Sequence, residues 1–317
     1  MRATWDGKQL TGEYRRIRSS GTKSFPVTLS PEPSPKPNTD GRKPIGDFQV
    51  TFEDQKTDDP VTLAKFWMEN GSYLGTFIAP DGDYGMLEGA FDGQNVHFGR
   101  FTGWQGIAFE LKPEGTGWSG RFHAASTDKP RAFTLQSSAA LRNLQSGSEP
   151  SMKNPNGPFA FACTSLDGET IRNTDERFKG KALAVDIMGT WCHNCMDESP
   201  VLENLYKQYG KDGFEVVGLS FEIKDDFELG KKNLALFRDR YQLSYPVLYC
   251  GSLDEANLDK RINSQLDNFF AFPSTLFVDK KGKVQSIHSG FQGPGTGDRY
   301  PLQVKRLEGL VQNALVR

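Results

Sequence analysis

The residues of this sequence with the clearest chemical potential are two cysteines, Cys192 and Cys195, in a WCHNC motif that starts at Trp191. The motif follows the apolar run Leu183–Met188, which predicts a buried strand, and precedes a stretch with helical spacing. A helix N-terminus carries unpaired N–H groups and partial positive charge, which stabilise a thiolate. We therefore predict that Cys192 is the exposed nucleophile and that Cys195, one turn inside the helix, resolves a mixed disulfide.

A pair of cysteines at this spacing is also typical of half a zinc site. Such a site needs two more Cys or His ligands. The sequence has no second CxxC pair, and none of its four histidines pair at ligand spacing. At a strand-to-helix junction this pattern favours redox chemistry. We therefore expect the redox group to be a Cys192–Cys195 disulfide, with no bound cofactor and no metal.

Three segments of the C-terminal half resemble the TlpA/ResA-like thioredoxins of bacteria, in which WCxxC is followed by xxExP. They are GTWCHNCMDESP (189–200), FPSTLFVDKKGK (272–283) and IHSGFQGPGTG (287–297), and the resemblance covers roughly 158–317. It implies a thioredoxin-like fold of the AhpC/TSA–redoxin superfamily and a cis peptide bond before Pro273, facing the disulfide. It also implies that Glu198, three residues after Cys195, tunes the protonation of that cysteine. Trp191 completes the expected site.

The sequence departs from the family pattern at two places. Many TlpA-like proteins have a proline between the cysteines, whereas this chain has His193 and Asn194, which should alter the thiolate's stability and the reduction potential. His193 is either a thiolate-stabilising imidazole or a solvent-facing spacer. Many relatives carry Asn where Asp186 stands, six residues before Cys192 on the predicted strand. Asp186 and Glu198 are therefore both candidates for a proton relay.

Length and residue pattern predict two domains and an α+β fold class. Residues 1–141 are read as an all-β domain, an antiparallel barrel or sandwich; residues 142–157 as a polar linker; and 158–317 as an α/β thioredoxin-like domain with a mixed central sheet. The predicted strands of the first domain are Gln9–Ile17, Lys23–Leu29, Phe48–Phe52, Tyr73–Ile78, Asn95–Phe98, Gly106–Leu111 and Ala132–Gln136. This domain has no cysteine, so we expect it to select or place partners and to leave the chemistry to 158–317.

The charge balance and the resemblance bear on partners and location. The 317 residues include 38 basic and 40 acidic side chains, a net charge of −2, which argues against nucleic acid as a partner. No apolar run approaches the roughly 20 residues that span a bilayer. The resemblance implies protein thiols and disulfides as partners, an upstream electron donor, and a periplasmic or other extracytoplasmic location. We then expect a leader that is absent from this sequence; composition alone leaves a cytoplasmic protein as the alternative.

Three functions are compatible with these patterns. The first is a thiol–disulfide oxidoreductase that acts as a reductase. The second is a peroxiredoxin-like peroxidase, which expects Pro and Thr or Ser seven and three residues before the reactive cysteine; this chain has Val185 and Gly189 there. The third is a ligand-binding β-domain with an accessory thioredoxin fold. Cys163 and Cys250 are expected to be structural or free thiols and not catalytic; in an oxidising compartment they could pair, but the sequence does not show whether they are close.

Overall fold

The chain forms two compact units. A computed structural model describes residues 2–5, 10–18, 21–29, 46–56, 61–69, 71–101, 106–124, 129–137 and 149–316. The first unit contains Met1–Thr57, Ala64–Gly75 and Leu87–Ala139. The second contains Asp58–Leu63, Thr76–Met86 and Ala140–Arg317. The segment Thr76–Met86, which lies in sequence within the predicted all-β domain, therefore belongs to the same unit as the WCHNC motif.

The N-terminal part of the chain is entirely β in the residues described. Its strands are β1 (Arg2–Trp5), β2 (Leu10–Arg18), β3 (Gly21–Leu29), β4 (Gly46–Phe52), β5 (Thr62–Glu69), β6 (Ser72–Ala79), β7 (Gly82–Asp83), β8 (Leu87–Phe91), β9 (Val96–Phe101), β10 (Gly106–Glu114), β11 (Gly117–Ala124) and β12 (Arg131–Ser137). Strands β1 to β3 form a three-stranded sheet. Strands β5, β4, β12, β11, β10, β9, β8 and β6 pair in that order, and β5 also pairs with β6, closing an eight-stranded antiparallel barrel. Of the two architectures expected, the barrel is the one observed.

Aromatic side chains fill the barrel, and glycines make room for them. In β4, Phe48, Val50 and Phe52 are buried while the residues between them are exposed, the period-two pattern of a strand with one face inward. Five strands, β1, β5, β7, β8 and β11, were not among those predicted. In β11, a side chain at Gly120 would lie 2.4 Å from the ring of Phe133 on the neighbouring strand. A glycine placed for cross-strand packing weakens the sequence signal of a strand.

The second unit has a mixed sheet with helices. Its further elements are β13 (Ser151–Met152), β14 (Ala162–Thr164), β15 (Thr170–Arg172), β16 (Ala182–Met188), α1 (His193–Tyr209), β17 (Phe214–Glu222), α2 (Phe227–Tyr241), β18 (Val247–Ser252), α3 (Glu255–Leu258), β19 (Leu266–Asp267), β20 (Ser274–Val278), β21 (Val284–Ser289) and α4 (Arg299–Leu315). The sheet order is β15-β14-β18-β17-β16-β20-β21. Strand β16 pairs parallel with β17 and antiparallel with β20. The predicted α/β thioredoxin-like fold with a mixed sheet is confirmed.

Strand β16 lies at the centre of this sheet and is buried over its whole length. Leu183, Val185 and Ile187 pack in one apolar cluster, whereas Ala182, Ala184 and Met188 pack in another that also holds Cys192 and Cys195. Because alternate residues of a strand face opposite sides, Asp186 faces the side of the sheet that carries the cysteines. The strand therefore places a carboxyl group beneath the motif.

The residues predicted as a linker are described only from 149 onward. Strand β13 pairs with β19, and the backbone N–H of Lys153 donates to the carbonyl of Gln265. Residues 149–157 thus pack on the second unit, and residues 142–148 lie outside those described. No helix among the described residues is long and apolar enough to cross a membrane.

Candidate redox site

The two cysteines of the motif lie at the start of α1. Cys192 is the N-cap residue of this helix and Cys195 lies in its first turn. Their sulfurs form a disulfide with Cα atoms 5.2 Å apart, and the backbone N–H of Cys195 donates to Sγ of Cys192 at 3.1 Å. Cys192, which was predicted to be exposed, is buried with 5% of its surface accessible, because it packs in the core at the helix start; Cys195 is fully buried. The helix N-terminus thus directs a donor at the sulfur of Cys192, the more accessible of the two residues, where a donor of this kind stabilises a thiolate.

Trp191 and Pro273 border Cys192. The indole Nε1–H of Trp191 donates to the carbonyl of Phe221 at 2.8 Å, and its ring meets that of Phe272 edge-on, with centroids 5.4 Å apart. The Phe272–Pro273 peptide bond is cis. The carbonyl oxygen of Phe272 lies 3.4 Å from Sγ of Cys192. The structure thus brings the predicted residues Trp191 and Pro273 together beside Cys192.

Two buried carboxyl groups, Asp186 and Glu198, lie on the inner side of the motif. Neither carboxyl oxygen of Asp186 has a hydrogen-bond partner, and burial raises the pKa of Asp186 to about 7. Glu198 follows Cys195 by three residues on α1, so the two share a helix face. Burial raises the pKa of Glu198, the charge of Asp186 raises it further, and the hydrogen bond from Thr275 opposes this rise. The two groups therefore titrate as a pair that holds a proton near neutral pH.

This pair is suited to proton transfer with Cys195. A carboxyl whose pKa lies near the working pH accepts and returns a proton efficiently. The thiol of Cys195 must lose its proton before it attacks a mixed disulfide, and it is fully buried, away from bulk water. The fold places the carboxyl pair on the cysteine's side of the sheet, as the predicted role of a proton acceptor requires.

Changing Glu198 to Gln should slow the step in which Cys195 resolves a mixed disulfide. We expect a loss of tenfold or more near neutral pH, within the roughly 10²–10⁴-fold that general bases contribute. The pH–rate profile should also move to higher pH, because hydroxide must replace the lost base. Stopped-flow reduction of a mixed disulfide at Cys192, from about pH 5 to pH 9, measures both effects.

Glu203→Gln is the matched control for that experiment. Glu203 is a buried glutamate of the same helix, and its carboxylate accepts the backbone N–H and the hydroxyl of Ser244. The control should leave the profile unchanged. If Glu198→Gln and Glu203→Gln gave the same pH–rate profile, the predicted proton relay through Glu198 would be wrong.

Two polar residues of the site were not predicted. Thr275, on β20, pairs with Asp186 in the sheet register, and its hydroxyl lies 3.3 Å from both carboxyl oxygens of Glu198. Glu222, at the end of β17, accepts the backbone N–H and the hydroxyl of Thr190, at 3.1 and 2.7 Å. Thr190 immediately precedes Trp191, so Glu222 holds the turn leading into the motif. The only sequence feature that could have pointed to Thr275 was its position two residues after Pro273. No sequence feature pointed to Glu222.

Both residues between the cysteines are engaged by the segment Thr76–Met86. Nε2 of His193 lies 2.6 Å from the carbonyl oxygen of Asp83, and Nδ2 of Asn194 lies 3.4 Å from that of Asp81. The ring of Tyr84 stacks on that of His193, with centroids 6.2 Å apart. His193 therefore contacts the segment Thr76–Met86 and is not simply a solvent-facing spacer.

The remaining two cysteines form a second disulfide. Cys163 on β14 and Cys250 on β18 are bonded, with Cα atoms 4.8 Å apart, and β14 and β18 are neighbours in the sheet. Both residues are buried. Within the described ranges, no group of three or more His, Cys, Asp or Glu residues is placed to hold a metal ion.

Comparison with known proteins shows where this chain has relatives. The sequence profile of the AhpC/TSA family matches residues 156–287. The thioredoxin-like protein YneN of Bacillus subtilis is 34% identical over 131 residues, which are 41% of this chain and 68% of YneN. The thiol-disulfide oxidoreductase ResA of Geobacillus thermodenitrificans is 29% identical over 133 residues, 41% of this chain and 66% of ResA.

A solved structure is also similar. The thioredoxin family thiol:disulfide interchange protein of Chlorobium tepidum aligns with 52% of this chain and 99% of its own, at 20% identity and a TM-score of 0.39. The chain spans about two thirds of the length of the curated relatives. The family profile matches the C-terminal part of the chain, and the solved structure aligns with about half of its length. With the CxxC pair at a helix N-terminus, the buried carboxyl pair and the cis-proline in place, the chain belongs to the TlpA/ResA-like, thioredoxin-fold thiol–disulfide oxidoreductases of the AhpC/TSA family.

Proposed function

We propose that the protein reduces disulfide bonds of partner proteins through the Cys192–Cys195 pair. The thiolate of Cys192 attacks one sulfur of a substrate disulfide, forms a mixed disulfide and releases the other sulfur as a thiolate. The thiolate of Cys195 then attacks Sγ of Cys192 and releases the second substrate thiolate. Two electrons pass to the substrate and two protons complete its thiols, while the protein is left with the Cys192–Cys195 disulfide. A dithiol donor restores the reduced pair by the reverse exchange.

One observation carries this proposal. The disulfide spans the N-cap and first turn of α1, and the buried Asp186 and Glu198 lie on the same side of the sheet. A site of this kind supplies a stabilised thiolate at one cysteine and a proton acceptor for the other. It needs no bound cofactor, because the reduced Cys192–Cys195 dithiol itself carries the two electrons.

We further propose that the protein works outside the cytoplasm. The family resemblance implies that location, and the second disulfide, Cys163–Cys250, supports it because structural disulfides persist in oxidising compartments. The partners are then extracytoplasmic protein disulfides and a membrane-associated or soluble dithiol donor. We propose the division of labour that follows from the two units: the barrel takes part in partner selection or placement, and the second unit performs the exchange.

The reduction potential of the Cys192–Cys195 pair tests the direction of electron flow. A reductase should have a potential near that of thioredoxin, about −270 mV, whereas an oxidant such as DsbA lies near −120 mV. Equilibration of the full-length protein with glutathione or dithiothreitol buffers, followed by thiol trapping and mass spectrometry, gives the value. The same preparation should reduce insulin disulfides with a dithiol donor. A potential near −120 mV, or no exchange with insulin, would contradict the proposed reductase.

A further inference from the structure

A hairpin remote in sequence from the motif is locked into the redox unit by a buried carboxylate. The end of β6 and all of β7 form this hairpin, Thr76–Met86, which belongs to the second unit. Asp83 is 1% exposed. Its Oδ1 accepts the backbone N–H of Gly293 at 2.7 Å, and its Oδ2 accepts the N–H of Gly85 and the hydroxyl of Thr76, each at 3.1 Å. A buried carboxylate with three donors fixes the backbone around it.

The backbone of this hairpin makes the contacts with the motif. Residue Gly82 forms a bridge with Phe291, and the N–H of Asp83 donates to the carbonyl of Phe291. The carbonyls of Asp81 and Asp83 face Asn194 and His193. Both residues that separate the two cysteines are thus bonded to main-chain oxygens of one hairpin.

The approach between hairpin and motif is close. Gly82 has φ +138°, and a Cβ atom there would lie 2.0 Å from Nδ2 of Asn194 and 2.7 Å from the carbonyl oxygen of Phe291. Only glycine satisfies both this backbone conformation and this distance. The contact is therefore specified by the residue type at Gly82 as well as by the carboxylate of Asp83.

The contact also determines how His193 presents its imidazole. A peptide carbonyl only accepts hydrogen bonds, so Nε2 of His193 carries the proton. The bond is stronger when the donor is a charged imidazolium. The hairpin thus favours a positively charged ring on the residue that follows Cys192 in the chain, and positive charge near a thiolate stabilises it in the reduced state.

We infer that the hairpin is part of the redox machinery, with Asp83 as a positioning residue that acts on the Cys192–Cys195 pair through His193. This inference deepens the proposed function and rests on it. Loss of the anchor should weaken the interaction that stabilises the reduced pair and make the pair a stronger reductant. Asp83→Asn tests the anchor directly. The amide NH2 group would replace Oδ2, which accepts hydrogen bonds from Gly85 and Thr76, and would set donor against donor.

The test compares reduction potentials of full-length variants at one pH near 7. Asp83→Asn and His193→Ala should each shift the equilibrium constant with glutathione by roughly tenfold toward the oxidised protein, about 30 mV more reducing. Asp83→Asn should add no further shift in the His193→Ala background, as a double-mutant cycle requires for two residues that act together. A potential unchanged by Asp83→Asn, or a full additional shift in the His193→Ala background, would overturn the inference.

Two matched controls separate positioning from a general loss of stability. Asp279→Asn removes another buried turn carboxylate, which accepts two backbone N–H groups and the amide of Gln285. It should leave the potential unchanged, and a shift equal to that of Asp83→Asn would also overturn the inference. If Asp83→Asn does not fold, Gly82→Ala answers the same question. Its control is Gly282→Ala, another positive-φ turn glycine, with no atom within 4 Å of an added Cβ.

The failure of this inference is distinct from the failure of the proposed function. The potential of the Cys192–Cys195 pair is measured by equilibration with glutathione and needs no protein substrate. If the wild-type protein exchanged with glutathione but reduced no protein disulfide, the proposed function would be wrong. The double-mutant cycle of Asp83→Asn and His193→Ala would still test the inference. Variants that share the wild-type potential would contradict the inference while insulin reduction remained intact.

Discussion

Replacing Cys195 with serine should stop turnover after the first half-reaction and leave the substrate covalently attached to Cys192. Cys192 is the helix N-cap, and its sulfur receives the N–H of residue 195, so its nucleophilicity survives the change. Without the second thiol the mixed disulfide has no internal attacker. Steady-state reduction of insulin should fall by about 10³-fold or more, as for loss of an essential catalytic group. Intact-mass spectrometry should find the adduct in stoichiometric amount.

Replacing Cys192 with serine should abolish reduction without forming any adduct. Cys195 is fully buried, and a protein disulfide does not reach it. In the reduced wild-type protein, limited iodoacetamide treatment should therefore label Cys192 first. Labelling of Cys195 first, or an adduct in Cys192→Ser equal to that in Cys195→Ser, would reverse the assigned roles.

The stability of the oxidised protein should fall as the pH rises from about 4 to about 8, and Asp186→Asn should reduce that dependence. The pKa of Asp186 is raised by burial from 3.8 to about 7. A raised pKa means that the folded state holds a proton that the unfolded state has released. The stability contributed by the neutral carboxyl is therefore complete below about pH 4 and is lost as the pH rises through about 7.

The size of the stability change follows from the ordinary and the raised pKa of Asp186. At about 1.36 kcal/mol for each pKa unit, the difference between 3.8 and about 7 corresponds to roughly 4 kcal/mol for Asp186. Glu198 acts in the same direction, because burial and the charge of Asp186 raise its pKa as well. Asp186→Asn removes the titrating group from a site where neither carboxyl oxygen has a hydrogen-bond partner.

Urea unfolding followed by the helical circular dichroism signal measures this dependence. Within the described residues, all four α-helices belong to the second unit, so the signal reports on the unit that contains Asp186. Oxidised protein is used so that no thiol titrates. Asp279→Asn is the control: burial alone would raise the pKa of Asp279, but hydrogen bonds from Lys283, Lys281 and Gln285 lower it. Its contribution is lost only as the pH falls below 3.8, so the control should keep the wild-type slope. Equal slopes for wild type and Asp186→Asn would refute the raised pKa.

The local features of the redox centre followed from the sequence. The apolar run Leu183–Met188 predicted β16, which spans Ala182–Met188, and the CxxC spacing predicted a disulfide at the start of the next helix. The position of Asp186, six residues before Cys192, placed it on the strand beneath the motif, and the family resemblance singled out Glu198, three residues after Cys195 on the same helix. These predictions succeed because strand and helix periodicity are local properties that neighbouring residues determine.

The sequence also predicted the fold class of each domain, but it did not decide between a barrel and a sandwich. Alternating strands and helices predicted the mixed α/β sheet, and β-rich segments with turn signals predicted an antiparallel barrel or sandwich. The choice between those two depended on the pairing of β5 with β6. Closure of a barrel is a pairing between strands, and no residue pattern within a single strand specifies it.

Only the tertiary structure placed the Thr76–Met86 hairpin in the redox unit. Read locally, Asp81-Gly82 is a turn between strands, and nothing in that pattern points to a cysteine motif more than a hundred residues away. The bond from Gly293 to Asp83 joins positions 210 residues apart, and the bond between His193 and Asp83 joins positions 110 apart. The disulfide between Cys163 and Cys250 spans 87 residues. The sequence by itself was enough to predict which residues react, since their chemistry and spacing are local. The fold decided which distant groups surround them, because long-range contacts depend on how whole strands and helices pack.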